Sequence, residues 1–383
     1  MNPTDIASVA TATVRAALPA PVVFGDWIMN HREFVVVRIT LGDGTHGWAF
    51  TLTRDGAVAE QIDRSLKHDY VGSDAQEPIA TFDRIQASSF GSYSSGVGLR
   101  ALSILDLATW DALSRHRGET ISATLGGQLS PMPATAIIGY PPATMGPRDV
   151  AEQVTQLWAD GWRRFKIPVA RDLDSTVARI AAAREAAPEA WLGCDAAWIF
   201  RDWRDAVALA DACRRHSLGW LEDIFPPGDI DNLVELRRVA GLPVAMGDEQ
   251  GGAYYPQALI AAGATDVVRI DLTCMGGISG GRRIVERCLQ TGTPFAPHMF
   301  AHVHSQVFSA WGYPDVPIEW GVPWTGVDPF ADSLEQPSLL GDGRMAPLRG
   351  GAGFGRLVDL PWLATQDVSD PQGILHSAQE GGQ

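Results

Sequence analysis

The chain has 383 residues, of which 45% are hydrophobic and 20% are charged, and its formal net charge is −15. A chain of this length can bury a large core, and the excess of acidic groups argues against nucleic acid or an anionic membrane as a partner. No apolar stretch approaches the roughly 20 residues of a membrane span. We expect a soluble, cytoplasmic homo-oligomer that binds a small molecule. The cysteines lack CxxC spacing and are predicted to be reduced residues of the core or of helices: Cys194, Cys213, Cys274 and Cys288.

The first third of the chain is predicted to form an α+β domain over residues 1–128. Residues 34–40 have the pattern of a strand, Asp43-Gly44 that of a hairpin turn, and residues 46–51 that of the return strand. The last of three helical patterns that follow is apolar on most of its circumference, so we expect that helix to be buried. The three patterns cover residues 58–66, 78–87 and 99–116.

Seven polar side chains each close a short apolar run in the rest of the chain, in steps of about 21 to 29 residues. A step of that length accommodates one strand, one helix and two short connections. Helical spacing between the runs, with one more strand at residues 134–138, predicts a (β/α)8 barrel over residues 129–345. The seven side chains are Lys166, Asp195, Glu222, Asp248, Asp271, His298 and Glu319.

A parallel barrel gathers the carboxyl ends of its strands on one face, so these seven side chains are predicted to converge on one cavity. A single acidic residue after an apolar run is usually a helix N-cap or a turn residue. Five carboxylates at successive strand ends would, however, be a costly cluster of like charge unless a cation and a substrate lay among them. The pattern therefore indicates a metal-dependent site.

Three acidic residues from consecutive strands are the candidate metal ligands. Asp195, Glu222 and Asp248 offer hard oxygen atoms, which favour Mg²⁺ and leave Mn²⁺ open. Lys166 is one of two lysines in the chain, and a compact ammonium at a barrel strand end can serve as an acid, a base or an electrostatic contact. The simpler interpretation is that Lys166 only pairs with Asp195 or Glu222.

Asp271 and His298 end neighbouring strands, so a hydrogen bond between the carboxylate and the imidazole is geometrically natural. The aspartate would fix the tautomer of the ring and raise its basicity, as a general base requires. A lone histidine is more often a packing residue, but here a partner and a metal site lie on neighbouring strands. His302 and His304 fall in the next loop or helix and are interpreted as surface or packing residues.

The order of these motifs resembles the enolase superfamily, and within it the mandelate racemase group, over nearly the full length of the chain. Each motif alone is weak, but the succession is specific. The motifs are Gly161-Trp162-Arg163-Arg164-Phe165-Lys166, the strand ending at Asp195, Trp220-Leu221-Glu222, Gly247-Asp248-Glu249, Asp271 before Gly276-Gly277-Ile278, Pro297-His298 and Ile318-Glu319.

The resemblance implies an N-terminal capping domain, a modified (β/α)7β-type barrel and Mg²⁺ held by the three acidic strand ends named above. It also implies that His298 and Asp271 form the base dyad and that Glu319 forms a hydrogen bond to a substrate carboxylate. The family places a specificity loop at residues 24–31. Within it, Trp27 and His31 are the candidate substrate contacts.

Two positions depart from the family pattern. Many members have Lys-x-Lys on the second strand, with the second lysine as a base, whereas this chain has Lys166-Ile167-Pro168. Pro168 cannot move a proton. Where many members have glutamate on the fifth strand, this chain has Asp248 followed by Glu249. Strand alternation lets only one of these two point inward, and by register we select Asp248.

A single base on one face of the substrate suits β-elimination, because racemisation by two opposed bases requires one on each face. We therefore predict a lyase that removes the proton next to the carboxylate of a sugar acid, an aldonate or an aldarate, and expels the β-hydroxyl as water. The product would be a 2-keto-3-deoxy acid. A racemase or epimerase of a related carboxylic acid, a cycloisomerase or dipeptide epimerase, and a binding protein with a decayed site remain as alternatives.

The C-terminal segment, residues 346–383, is predicted to return to the first domain. Residues 354–358 have the pattern of a strand that could make this return. The tail from about residue 364 is polar, and we expect it to be loosely held.

Overall fold

The computed structural model describes residues 1–348 and 351–375. The N-terminal part is built on an antiparallel sheet in the order β13-β1-β2-β3. Its two central strands are long, and their alternating burial pattern places one face against the rest of the molecule. The strands are β1 (Ile6–Phe24), β2 (Trp27–Leu41), β3 (His46–Leu52) and, from the C-terminal segment, β13 (Asp367–Ser369).

Five helices complete the cap. The longest, α4, packs against β3 and is buried on most of its circumference, as its apolar sequence predicts. A π-helical turn at Ile62–Leu66 joins the first two helices. The helices are α1 (Val58–Gln61), α2 (Lys67–Tyr70), α3 (Pro78–Ser88), α4 (Gly96–His116) and α5 (Ile121–Thr124).

Eight strands form the parallel barrel sheet, in the hydrogen-bonded order β10-β9-β8-β7-β6-β5-β4-β11. The two ends of this order, β10 and β11, contact each other at the seam. The predicted barrel and cap are confirmed. The strands are β4 (Met132–Ile137), β5 (Arg164–Pro168), β6 (Trp191–Asp195), β7 (Trp220–Glu222), β8 (Val244–Met246), β9 (Val267–Ile270), β10 (Phe295–Pro297) and β11 (Ile318–Gly321).

One helix follows each of the first seven barrel strands, which gives the (β/α)7β arrangement. Asp172, Asp202 and Asp229 cap three of these helices by accepting hydrogen bonds from backbone N–H groups of the first turn. The helices are α6 (Pro147–Ala159), α7 (Leu173–Ala186), α8 (Trp203–Arg215), α9 (Ile230–Ala240), α10 (Tyr254–Ala262), α11 (Gly277–Thr291) and α12 (Ala301–Ala310).

The strand predicted at residues 354–358 is wrong. Gly353 and Gly355 have positive φ angles of 65° and 76°, which interrupt an extended backbone, and Gly353 makes only an isolated bridge to Thr120. The strand that returns to the cap is β13, which pairs with β1, so the start of the tail is ordered. Residues 376–383 of the predicted tail lie outside the described residues. The remaining short elements are β12 (Arg344–Met345), α13 (Leu360–Leu363) and 3₁₀ turns at Pro323–Thr325 and Ala331–Ser333.

Residues 24–31, predicted as a loop, are the tip of a β-hairpin. β1 ends at Phe24 and β2 begins at Trp27, so Gly25 and Asp26 alone make the turn. The β2 strand therefore begins seven residues before its predicted start at Phe34. Side chains near the tip consequently alternate between two faces, and their sequence positions determine which of them face the barrel.

One continuous core runs through the cap and the barrel, with residues from both in the same cluster. All four cysteines are free and buried, as predicted. In the described part of the chain, no helix has the length and apolarity needed to cross a membrane.

Candidate active site

A narrow cavity of about 50 Å³ lies between the carboxyl ends of the barrel strands and the hairpin tip. It shares Phe24, Trp27, Arg54 and Trp198 with a second, more open cavity of about 810 Å³ that lies under the cap. Charged and polar side chains from both domains line the narrow cavity. They include Arg32, Lys166, Asp195, Asp223, Asp248 and His298.

Lys166, on β5, is the central cation of the barrel end. Its Nζ lies 2.8 Å from Glu319 Oε1, 2.9 Å from Glu222 Oε1 and 3.4 Å from Asp195 Oδ2, and the residue is 2% exposed. Burial alone would lower the pKa of Lys166, but these carboxylates raise it well above its ordinary value. The ammonium is therefore held in its charged form.

Arg269, on β9, is a second buried cation that the sequence interpretation missed. Its guanidinium forms an ion pair with Glu319 and lies 3.2 Å from Glu222 Oε1. The signal was available, because Arg269 stands two residues before Asp271 and strand alternation directs both to the inside of the barrel.

Glu319, on β11, is fully occupied by contacts within the protein. Oε1 pairs with Lys166 and Arg269, and Oε2 accepts a hydrogen bond of 3.0 Å from the N–H of Met299. Burial would raise the pKa of Glu319, but the two cations hold it at about 2. Glu319 does not line either cavity described above.

Three carboxylates at the ends of β7 and β8 lie within 4.8 Å of one another: Glu222, Asp223 and Asp248. Each has a buried oxygen that accepts no hydrogen bond from the described residues. Burial raises the pKa of Glu222 to about 7, and burial and neighbouring carboxylates raise that of Asp223 well above its ordinary range. Crowded carboxylate oxygens without donors are what a hard divalent cation requires, so the residues present fit Mg²⁺.

Asp223 was missed because alternation in an extended strand would direct only one of Glu222 and Asp223 inward. The backbone leaves the extended conformation at Asp223, whose φ is 47°, and this turn brings the carboxyl group of Asp223 to the cavity while that of Glu222 stays within 4.8 Å of it behind the lining. Asp195, the third ligand expected from the sequence, also lines the cavity and is joined to the cluster through Lys166. One Asp195 oxygen accepts a hydrogen bond of 3.0 Å from the N–H of Ala197.

His298 follows β10 and is 5% exposed, with its ring in the cavity wall. Its Nδ1 lies 2.8 Å from Asp248 Oδ1 and 3.4 Å from Asp271 Oδ2, but only the contact with Asp271 has hydrogen-bond geometry. Burial would lower the pKa of His298, but Asp248 and Asp271 raise it to about 10. A cation at Asp248 would oppose this increase, so a neutral imidazole requires that the cluster be occupied.

Asp271 is itself fixed by the loop that follows β9. Its Oδ1 accepts hydrogen bonds from the N–H and the hydroxyl of Thr273, at 2.8 and 2.7 Å. His304, on α12, lies 3.7 Å away and accepts a hydrogen bond from the N–H of Leu272. His302 and His304 are both buried, so they are packing residues and not surface residues.

Asp248 and Glu249 point in different directions. Asp248 faces the narrow cavity, whereas Glu249 lines the larger one and pairs with Arg54 and Arg100 of the cap. The Arg100 contact is 2.6 Å. The two arginines lower the pKa of Glu249 well below its ordinary value despite its burial. Glu249 of the barrel therefore forms the ion pairs that connect it to the cap.

The two candidate substrate contacts of the cap differ in position. Trp27 lines both cavities. His31 lines neither, and its Nε2 instead lies 3.2 Å from Asp55 Oδ1 on the outer face of the sheet. Arg32, the next residue along β2, takes the inward position. The sequence interpretation missed Arg32 because it ended the segment one residue too early.

A (β/α)7β barrel closed by an antiparallel cap, with carboxylates, a lysine and a histidine at its strand ends, defines a recognisable class of protein. Residues 149–360 match the model of the enolase C-terminal domain-like family, and residues 6–126 match that of the mandelate racemase/muconate lactonizing enzyme N-terminal domain. The chain belongs to the mandelate racemase/muconate lactonizing enzyme family.

Similar proteins span several reactions. The D-galactarolactone cycloisomerase of Agrobacterium fabrum is 27% identical over 301 residues, which cover 77% of this chain and 78% of that protein. The L-talarate/galactarate dehydratase of Salmonella typhimurium, solved with Mg and L-lyxarohydroxamate, superposes with a TM-score of 0.82 at 22% identity and covers 95% of this chain and 94% of its own. A racemase from Streptomyces coelicolor with bound magnesium has a TM-score of 0.81 at 22% identity, with 94% and 99% covered. The structural matches establish the shared fold.

Proposed function

We propose that the protein is a Mg²⁺-dependent lyase that dehydrates a sugar acid to a 2-keto-3-deoxy acid. The observation that carries this proposal is the asymmetry of the proton-accepting groups at the cavity. Both His298 and Lys166 line the cavity, but only Nδ1 of His298 contacts carboxylates, which leaves Nε2 for the substrate, whereas the ammonium of Lys166 is itself paired with carboxylates. Dehydratases among the relatives, such as that of Salmonella typhimurium, support the same reaction class.

Lys166 acts as an electrostatic contact in this proposal. Its Nζ also lies 2.8 Å from Glu319, so a negative partner would still hold the ammonium in its charged form if a cation engaged Glu222. Pro168, where many family members have a second lysine, offers no base. One face of the substrate therefore lacks a proton acceptor, and elimination is favoured over racemisation.

His298 takes the proton next to the substrate carboxylate through Nε2, because Nδ1 is directed to Asp271. Asp271 orients the ring, and Thr273 fixes Asp271. The β-hydroxyl departs with its bonding electrons, and His298 returns the proton to it when both lie on the same face, so that water is released. The remaining enol becomes the 2-keto-3-deoxy product.

We propose Asp195, Glu222 and Asp248 as the Mg²⁺ ligands. Asp223 is the alternative to Asp195 as the third ligand. The crowding of Glu222, Asp223 and Asp248 within 4.8 Å favours this alternative. Bound Mg²⁺ supplies Lewis-acid stabilisation of negative charge that develops on the substrate carboxylate. Glu319 positions Lys166 and Arg269, since its oxygens are already engaged within the protein.

The test is a screen of a sugar-acid library for 2-keto acid products, in excess MgCl₂ and in excess chelator. At least one acid should give a 2-keto-3-deoxy product with Mg²⁺ and none with chelator. The His298→Asn variant is the matched negative control. Epimers as the sole products, or full activity in chelator, would contradict the proposal.

A further inference from the structure

Arg32 is a buried cation without a counter-charge. It is 5% exposed, and its guanidinium makes no hydrogen bond and no ion pair with any residue in the ranges 1–348 and 351–375. Three other buried cations at this end of the molecule, Lys166, Arg269 and Arg100, each pair with a carboxylate. An unpaired buried guanidinium is costly, so its retention in a cavity wall indicates a missing anion.

The groups around Arg32 do not supply that anion. Among the carboxylates, Asp328 has the largest electrostatic influence on Arg32, but it makes no ion pair with Arg32 and instead accepts a hydrogen bond of 3.1 Å from the N–H of Ala331. The positive charge of Arg54 repels that of Arg32. Burial and Arg54 together lower the pKa of Arg32. An anion at this position would relieve both effects.

The location of Arg32 connects this anion to the reaction. Arg32 lines the same narrow cavity as Lys166, Asp248 and His298, but from the cap side. Tyr140, also in the wall, experiences the charges of Asp195 and Lys166 as well as those of Arg32 and Arg54. Because Lys166 and Arg32 line one cavity from opposite domains, a bound acid that presents its first carboxylate to Lys166 would have its other end toward the cap wall, where Arg32 stands.

We propose that Arg32 binds the second carboxylate of the substrate, so that the preferred substrates are aldarates, sugar acids with a carboxylate at each end, rather than aldonates. The reaction at the first carboxylate is that of the proposed function, but the binding preference does not depend on it. A guanidinium binds a carboxylate through two parallel hydrogen bonds between opposite charges. The terminal hydroxymethyl group of an aldonate is neutral and cannot make this bidentate, charged contact.

The experiment compares stereochemically matched pairs: galactarate with galactonate, glucarate with gluconate, and mannarate with mannonate. Dissociation constants are measured by calorimetry in excess MgCl₂, in the His298→Asn background so that turnover does not consume the ligand. At least one diacid should bind more tightly than its monoacid. Arg32→Gln should lower that ratio of affinities by about 30-fold or more, and Arg32→Lys should retain part of it.

Arg15→Gln is the matched control, because Arg15 is an exposed arginine on the neighbouring strand that pairs with Glu33. It should leave the ratio unchanged, and thermal melts of each variant test folding. Equal binding within every pair, no binding of any diacid, or an Arg32→Gln ratio equal to that of the parent would overturn the inference, although 2-keto products would still support dehydration. A diacid preference without 2-keto products would instead uphold Arg32 and refute the proposed reaction.

Discussion

The two walls of the cavity differ in how their charges are balanced. At the barrel end, Lys166 and Arg269 are packed among carboxylates at short distances, and the carboxylates outnumber them. On the cap wall, Arg54 is held by Glu249, whereas Arg32 has no partner among the described residues. The barrel wall thus has an excess of negative charge that requires a cation, and the cap wall has an excess of positive charge that requires an anion.

This difference in charge balance suggests that the barrel wall determines the reaction and the cap wall determines which acid is bound. The barrel side chains stand at the ends of adjacent parallel strands, so their spacing follows from the sheet register. The cap side chains stand outside the barrel sheet, Arg32 on β2 and Arg54 after β3, so a substitution there leaves the register of the barrel strands unchanged. We infer that substitutions in the barrel wall change the reaction, and that substitutions in the cap wall change which acid is bound.

The largest loss of Mg²⁺ affinity and turnover is expected from substitutions in the carboxylate cluster of the barrel wall. Glu222→Gln and Asp248→Asn should abolish Mg²⁺ binding and turnover, because each removes charge from a cluster of buried carboxylates. Calorimetry with MgCl₂ measures the affinity. Comparison of Asp195→Asn with Asp223→Asn, each measured the same way, identifies the third ligand by the larger loss. Unchanged Mg²⁺ affinity in all four variants would remove the metal from this wall.

Loss of the base is expected to be nearly as severe. His298→Asn should reduce turnover by on the order of 10²–10⁴-fold, since it removes the proposed general base. Asp271→Asn should reduce turnover less and leave the KM nearly unchanged, because Asp271 orients the ring without facing the cavity. Steady-state kinetics on the best library substrate provides both numbers. Near-normal turnover in His298→Asn would transfer the base role to another residue.

A third prediction contrasts the adjacent residues Asp248, which faces the narrow cavity, and Glu249, which pairs with arginines of the cap. Glu249→Gln should destabilise the fold by roughly 3 kcal/mol, because it leaves Arg54 and Arg100 without their shared carboxylate. Its Mg²⁺ affinity should change little. Asp248→Asn should show the reverse pattern. Denaturant unfolding in chelator and calorimetry with MgCl₂ measure the two quantities, and equal effects of both variants on Mg²⁺ affinity would contradict the assignment.

A smaller effect is expected from pH. Burial raises the pKa of Glu222 from 4.5 to about 7, so in chelator the folded state holds more protons than the unfolded state between these values. Stability should therefore fall as pH rises through this window. Mg²⁺ requires ionised carboxylates, so its effect on the Tm should be larger at about pH 8 than at about pH 5.5. Thermal melts with and without MgCl₂ measure this difference, and a Mg²⁺ effect that shrinks with pH would contradict it.

The sequence predicted those residues that follow from strand order. Lys166, Asp248 and His298 were predicted to converge because each ends a strand of one parallel sheet, and all three line the cavity. Asp223 was not predicted, because its place depends on a local turn with positive φ that the pattern of apolar residues does not reveal.

The contacts between cap and barrel were beyond sequence reasoning for a different reason. Glu249 meets Arg54 and Arg100 across separations of 195 and 149 residues, and only the docking of the two domains brings them together. Arg32 could have been found, because period-two alternation extended from Phe34 along β2 places it on the same buried face. The predicted strand began at Phe34, and this late start excluded Arg32.

In the proposed mechanism, only one face of the substrate meets a base. This mechanism is tested most directly by turnover of a single sugar acid in deuterated water, followed by NMR and mass spectrometry of both the product and the recovered substrate. We expect a 2-keto-3-deoxy product from one α-configuration, with no α-epimer formed and no α-epimer consumed. Appearance of the α-epimer carrying solvent deuterium, at a rate comparable to dehydration, would reveal a second base on the opposite face and contradict the single-base mechanism.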